Sequence, residues 1–196
     1  MEPFNKNHFD VEDKEKLLET IRPNFDKLDL EKDATNHIDL LDINPEANKI
    51  LEIGCGVGRL LNIIGRTKDA YGIEPSSGMI KHSSEFCKNA KILSCSGNGE
   101  IPFSDNFFDC VYSIITFQHI PLIETVKKYI SESYRVLNEG QLIFQLLDDS
   151  SIIDEGILKN YHSSNELIDY MKYIGFKDIK KIKKGSQWIF IYGKKD

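Results

Sequence analysis

The chain has 196 residues, 40% hydrophobic and 29% charged, with a formal net charge of −6. That composition fits one ordinary globular domain large enough for a three-layer core, and its acidic balance argues against nucleic acid as a partner. No apolar run approaches the roughly 20 residues of a membrane span, and Met1 to Lys6 lack the apolar centre of a signal peptide, so the expectation is a cytoplasmic protein with no membrane partner.

Residues 1–48 read as an N-terminal helical cap, with helices over Val11–Ile21 and Ala34–Leu41 punctuated by Pro23 and Pro45. From Lys49 onward strands and helices alternate: strands at 50–53 and 69–74, helices at about 57–66 and Ser77–Phe86, then a strand at 90–95. A Gly/Asn loop and the turn at 102–106 lead into a long apolar strand, Phe108–Thr116. A helix over 121–137 carries Val126, Ile130 and Val136 inward, and Leu142–Leu147 is the next strand. Ser163-Ser164-Asn165-Glu166 fits a capping box for a helix through Leu167 and Met171, which Gly175 stops. Strands at 176–182 and 187–192 joined by Lys184-Gly185-Ser186 read as a hairpin. The run Lys177, Lys180, Lys181, Lys183 and Lys184 then belongs to an edge strand, where lysine discourages pairing with other sheets. Together these elements predict an α/β fold, with a doubly wound, mostly parallel seven-stranded Rossmann-like sheet over residues 49–196 that ends in an antiparallel hairpin. Cys55, Cys87, Cys95 and Cys110 are scattered without a C-x-x-C pair, which suits buried thiols in a reducing compartment and indicates no metal site.

The chemistry concentrates at Ile50-Leu51-Glu52-Ile53-Gly54-Cys55-Gly56-Val57-Gly58-Arg59. A buried strand, three glycines at alternate positions and a helix form a turn over which a cofactor can lie close to the backbone. A dinucleotide turn wants G-x-G-x-x-G, but Arg59 stands at the third glycine; a phosphate loop wants Gly-Lys-Ser/Thr, which does not follow. Glu74 ends the next strand about 20 residues on, where an acid either accepts ribose hydroxyls or simply suits a helix entry. By itself Glu74 leaves a nicotinamide cofactor open.

The glycine segment resembles motif I of the class I S-adenosylmethionine-dependent methyltransferases. Further resemblances follow in order: Gly99 to Ser113, with Pro102-Phe103 and Phe108-Asp109; Ile114 to Pro121, with His119; Tyr134 to Leu142; and the terminal strand Trp188 to Gly193. The resemblance spans roughly residues 49–193 and implies S-adenosyl-L-methionine as cofactor, S-adenosyl-L-homocysteine as product and a small-molecule methyl acceptor. It implies cofactor contacts from Glu52, Gly54, Cys55, Gly56, Glu74, Pro75, Gly99, Ile114 and Ile115, with Glu52 facing the amino group. Met79 either covers the adenine or packs into the core. The acid such loops place against the adenine amino group falls at Gly97, so Asn98 either substitutes for it or serves only the turn. His119 is the best-placed titrating group for catalysis, with a structural role as the alternative, and Gln118 and Tyr161 are candidate acceptor contacts. The expected reaction is methyl transfer to an oxygen or nitrogen by in-line displacement, with a catalytically silent cofactor-binding member as the alternative.

Overall fold

Helix α1 (Lys27–Leu41) precedes β1 (Lys49–Ile53), α2 (Arg59–Ile64), β2 (Asp69–Glu74), α3 (Ser77–Phe86), β3 (Ala90–Ser94) and β4 (Phe108–Ser113). A 3-10 turn (Phe117–His119), α4 (Ile123–Val136), β5 (Leu137–Leu147), α5 (Ser164–Ile174), β6 (Lys177–Lys184) and β7 (Trp188–Lys195) complete the chain. This computed structural model describes residues 15–16, 27–148, 162–185 and 187–196. Of the helix expected over Val11–Ile21, only Glu15 and Lys16 are described, and both are helical. Tyr161 lies outside the described residues.

The strands form one sheet in the order β3-β2-β1-β4-β5-β7-β6, with β7 antiparallel to both β5 and β6. The chain crosses from β3 to β4 over β2 and β1, so the order reverses between β1 and β4, where open α/β sheets bind ligands beyond the strands' carboxyl ends. One face packs Ile50, Cys110, Tyr112 and Phe190 with Ala34 and Leu41 of α1 and Leu60 and Leu61 of α2. The other packs Leu51, Val111, Leu142 and Phe144 with Val126 and Ile130 of α4 and Leu167 and Met171 of α5. Alternation along β1 therefore sends Ile50 and Leu51 to opposite layers. Each such aliphatic side chain contributes about 1.5–3 kcal/mol by leaving water.

At the amino ends of the strands, the Asp109 carboxylate accepts the N–H groups of Asn48 and Lys49 at 2.9 and 2.8 Å. Arg135 of α4 donates to the carbonyls of Phe103 and Ile101 at 2.8 and 2.9 Å, which pins the loop between β3 and β4 to the helix. Phe103, Phe107, Phe108 and Tyr71 pack edge to face beneath that loop.

The helix expected over Ala34–Leu41 begins earlier, at Lys27, because the added residues Lys27 to Asp33 are mostly polar and their two leucines, Leu28 and Leu30, stand two apart rather than at helical spacing. The fourth strand stops at Ser113 rather than Thr116, since Ile115 turns the backbone to φ 60°. The strand expected over Leu142–Leu147 begins earlier: β5 starts at Leu137, and Gly140 and Gln141 pair with Lys195 and Lys194 of β7. Gly140 has a steric reason, since a Cβ there would lie 2.2 Å from the Asp109 carbonyl where the β4–β5 register shifts. Ser163 caps α5 by accepting the Glu166 N–H at 3.3 Å, and Gly175 ends it at φ 112°. The lysine run lies on the edge strand β6, mostly exposed. Cys55, Cys87 and Cys110 are buried, while Cys95 is only partly so.

Candidate cofactor site

The site forms where the carboxyl ends of β1, β2 and β4 meet. Gly54 and Cys55 both donate to the Ile73 carbonyl, at 2.8 and 3.2 Å, so the chain turns sharply as it leaves β1. Gly54, Gly56 and Gly58 all have positive φ, at 72°, 56° and 80°. Gly54 also admits Thr116, whose hydroxyl donates to the Gly54 carbonyl at 3.2 Å. Gly56 differs in that a Cβ there would meet nothing nearer than the Met79 sulfur at 3.9 Å, so its outer side is open.

Glu74 is buried, and both of its oxygens are engaged. Oε2 accepts the Gly56 N–H at 2.9 Å and Oε1 accepts the Ser76 N–H at 2.8 Å. The acid thus serves the helix entry and the glycine turn together, and each oxygen keeps acceptor capacity for a further donor. Burial raises its pKa, and the two backbone donors oppose that shift. Ser76 caps α3 by accepting the Met79 N–H at 3.2 Å, which sets Met79 against the open side of Gly56.

Glu52 sits inside β1 at 3% exposure. The parallel register places it opposite Tyr112, whose hydroxyl donates to Glu52 Oε2 at 2.9 Å. Burial pushes the Glu52 carboxyl up to about 8, outweighing the Tyr112 hydrogen bond and the nearby Arg59 charge. The carboxyl is therefore largely protonated at neutral pH, and a cation brought beside it would draw off that proton. Arg59 itself pairs with Asp33 of α1 at 2.9 Å, both mostly buried, so the cap helix is fastened to the end of the glycine turn.

Beyond β4, the Ile115 N–H donates to Gln145 Oε1 at 3.1 Å and the Ile114 carbonyl accepts the Thr116 hydroxyl at 3.1 Å. These bonds occupy backbone groups that the resemblance offers to a cofactor, leaving the Ile114 and Ile115 side chains and remaining acceptor capacity. His162 supports the 3-10 turn that follows: its Nε2 lies 3.1 Å from the Phe117 carbonyl and 2.8 Å from that of Ile120, which fixes Nε2 as the donor. Burial lowers the His162 pKa. Gln118 is buried, and its amide nitrogen lies 3.2 Å from His119 Nε2. With the amide donating, the His119 proton is on Nδ1.

The loop after β3 starts beside Glu74, because the Cys95 N–H donates to the Glu74 carbonyl at 3.1 Å. Asn98 Oδ1 accepts the Glu100 N–H at 3.1 Å, so its carbonyl serves its own turn. Tyr129 of α4 is buried, which pushes its phenol well above its usual range.

Thus Glu52, Gly54, Cys55, Gly56, Glu74, Pro75 and Met79 come together with the end of β4, and Asn98 and Gly99 lie on the adjoining loop. Gln118 and His119 stand on the far side of the switch point. Tyr112, Thr116, Tyr129 and His162 support this arrangement without having been singled out by motif. No local sequence signal marks any of the four; Tyr112 reaches Glu52 through the β1–β4 register. Among the described residues, no group of three or more His, Cys, Asp or Glu could hold a metal ion, and no helix is long and apolar enough to cross a membrane.

Residues 51–144 match the family described as a methyltransferase domain. The chain is 29% identical over 181 residues to 24-methylenesterol C-methyltransferase 2 of Arabidopsis thaliana, a match covering 76% of this chain and 48% of that protein. The chain thus spans about half the length of that curated relative. Among solved structures, it superposes on a methyltransferase from Thermotoga maritima described as a possible histamine N-methyltransferase, with TM-score 0.63, 21% identity and coverage of 85% and 89%. It also superposes on Haemonchus contortus phosphoethanolamine N-methyltransferase 2, solved with phosphomonomethylethanolamine and S-adenosylhomocysteine, with TM-score 0.64, 15% identity and coverage of 84% and 52%. The motif order, the seven-stranded topology and the matched domain agree: residues 51–144 form a methyltransferase domain of the S-adenosylmethionine-dependent kind, on a fold whose solved neighbours are methyltransferases.

Proposed function

We propose that this chain moves a methyl group from S-adenosyl-L-methionine to an oxygen or nitrogen of a small-molecule acceptor by in-line displacement. The observation that carries this reading is the buried Glu74 carboxylate clasping the Gly56 N–H beside the open side of that glycine. A nucleoside laid there meets an acid suited to a vicinal diol, a glycine with nothing in its way, and the Met79 thioether as a wall. Glu52 fits the other end, because a buried carboxyl with a raised pKa gains most from an incoming ammonium.

When bound, the cofactor supplies an electrophilic methyl group on its sulfonium. The chain's own part is to hold the acceptor in line with that bond and to exclude water. Positioning of this kind is worth about 7–11 kcal/mol of barrier. Gln118 and His119, on the turn after β4, are the residues proposed to contact the acceptor, with Tyr161 as a further candidate. His119 can take a proton through Nε2 only once the Gln118 amide turns away, so acceptor binding and base formation are linked at this pair.

Calorimetry with S-adenosyl-L-methionine, S-adenosyl-L-homocysteine and NAD tests the cofactor, and Gly56→Ala should weaken the first two while the fold survives. Tighter binding of NAD would sink the reading. Transfer of labelled methyl into fractionated metabolite extracts tests the activity; silence across all fractions, with the cofactor bound, favours the catalytically silent alternative. The sterol C-methyltransferase among the relatives favours a second reading in which carbon is the acceptor atom. Analysis of the labelled product separates the two by the atom that carries the label. A normal turnover rate in His119→Ala would remove that residue from proton transfer.

A further inference from the structure

The carboxyl-terminal half of β5, Leu142-Ile143-Phe144-Gln145-Leu146-Leu147, is apolar except at one position. Gln145 is only 4% exposed. A buried amide costs stability unless its polar groups are paired, so each half of it needs an account. Oε1 accepts the Ile115 N–H at 3.1 Å, which fixes the orientation of the amide and ties it to the end of β4. Nε2 is the other limb of the same planar group and has two N–H bonds to give. Among the described residues nothing accepts from them. Every side-chain nitrogen or oxygen there that is fully shielded from solvent does have a partner. Nε2 is therefore reached from outside the fold, and a nearly buried side chain presents an unused donor beside Ile115.

Gln145 pairs with Phe190 of β7 and, two residues on from Ile143, leaves the sheet on the face that carries Ile114, Ile143 and Phe190. Tyr112 and its partner Glu52 stand on that face as well. Because β4 lies between β1 and β5, Glu52 and Gln145 belong to strands about 9–10 Å apart. The ammonium and carboxylate of an amino acid share one carbon, so a cofactor whose ammonium meets Glu52 keeps its carboxylate near β1 too. Gln145 lies past that end, on the side left for the second substrate. Around it are the apolar side chains of Ile114, Phe190 and the partly buried Trp188. A neutral donor in such surroundings pairs with an oxygen, whereas an ammonium, which only donates, leaves both groups unmatched.

We propose that the Gln145 amide N–H₂ anchors the methyl acceptor by donating to one of its oxygens, so that the acceptor is an apolar molecule bearing a hydrogen-bond-accepting oxygen. The inference rests on the methyl-transfer reading given above. Holding the Ile115 N–H uses Oε1 alone, so the structural and the recognition roles separate by substitution.

Gln145→Glu keeps an oxygen for the Ile115 N–H and replaces the donor with a second oxygen, which repels an oxygen of the acceptor once the carboxyl is ionised. Gln145→Met removes both. The assay uses the fraction of a metabolite extract into which the parent transfers labelled methyl, at pH 9 so that the introduced carboxyl is ionised. Apparent KM is read by serial dilution of that fraction, and affinity for S-adenosyl-L-homocysteine by calorimetry. Both variants should raise apparent KM about tenfold or more. Gln145→Glu should do so with S-adenosyl-L-homocysteine affinity within about threefold of the parent. An unchanged KM in Gln145→Glu overturns the proposal. Loss of S-adenosyl-L-homocysteine affinity with KM kept also overturns it, by assigning the amide to the cofactor. The labelled product should carry an oxygen able to accept a hydrogen bond, and a product whose only polar atoms are amine nitrogens overturns the assignment. If the parent labels no fraction, the methyl-transfer reading itself fails and this inference falls with it, so the two failures are distinguishable.

Discussion

Thr116 and Gly54 interlock across the ends of β4 and β1: the threonine hydroxyl donates to the glycine carbonyl at 3.2 Å, and a Cβ on Gly54 would lie 2.3 Å from the threonine methyl. The glycine turn is therefore shaped by a neighbour 62 residues away as well as by its own backbone. The contact ties the turn beneath the cofactor to the segment that leads into Gln118 and His119.

Gly54→Ala should cost about 2–4 kcal/mol, through the strained φ of 72° and the collision with Thr116 together. Denaturant unfolding measures it. Adding Thr116→Ala should return part of the loss, and strictly additive effects in the double variant would mean the two residues are not coupled.

Glu52 gives the protein an unusual dependence on pH. The folded chain keeps a proton that the unfolded chain releases above about 4.5, up to the folded value of about 8. Its contribution is thus complete below about 4.5 and declines as the pH rises toward 8, by at most about 1.4 kcal/mol per unit. Thermal melts from pH 5 to 9 test this against Glu52→Gln, which should flatten that part of the profile. If an ammonium docks beside Glu52, cofactor binding at pH 7 also releases a proton, which calorimetry in buffers of differing ionisation enthalpy detects.

Glu74→Gln should weaken S-adenosyl-L-homocysteine about 10- to 100-fold with little change in circular dichroism. The amide presents a donor to one of the two N–H groups now bound and loses charge toward a diol. Affinity within twofold of the parent would take Glu74 out of ribose binding.

His162→Ala leaves the Phe117 and Ile120 carbonyls without their shared donor, at a cost of about 1–3 kcal/mol above pH 7. Because burial lowers its pKa from 6.5, the stability it supplies is present above that value and is lost as the pH falls below it. The gap between parent and variant melting temperatures should therefore narrow between pH 7 and pH 5. An unchanged gap would assign the effect to packing alone.

Strand and helix order were legible because parallel strands here are short apolar runs bounded by glycine and proline, and the glycine turn advertises itself through its spacing. Element ends were less so. Ile115 occupies a left-handed conformation that β-branched residues avoid, and its hydrogen bond to Gln145, 30 residues away, leaves no local trace. The strand 137–141 was hidden because Asn138, Glu139 and Gly140 have turn composition, while their pairing depends on β7 at the far end of the chain. Glu52 and Glu74 were visible as acids at strand ends. What each holds was not, because Tyr112 and the Gly56 N–H arrive through sheet register and tertiary fold.

The Asp109 carboxylate binds the starts of β1 and β4 together at the edge of the sheet opposite Gly54, Glu74 and Thr116. Parallel pairing puts the beginnings of β1 to β5 on that edge and the loops that follow them on the other. Cohesion and chemistry are consequently assigned to separate borders of the same layer. A lineage, or an engineer, can rewrite the segments after β3, β4 and β5 to suit a new acceptor while the anchored border keeps the strands in step.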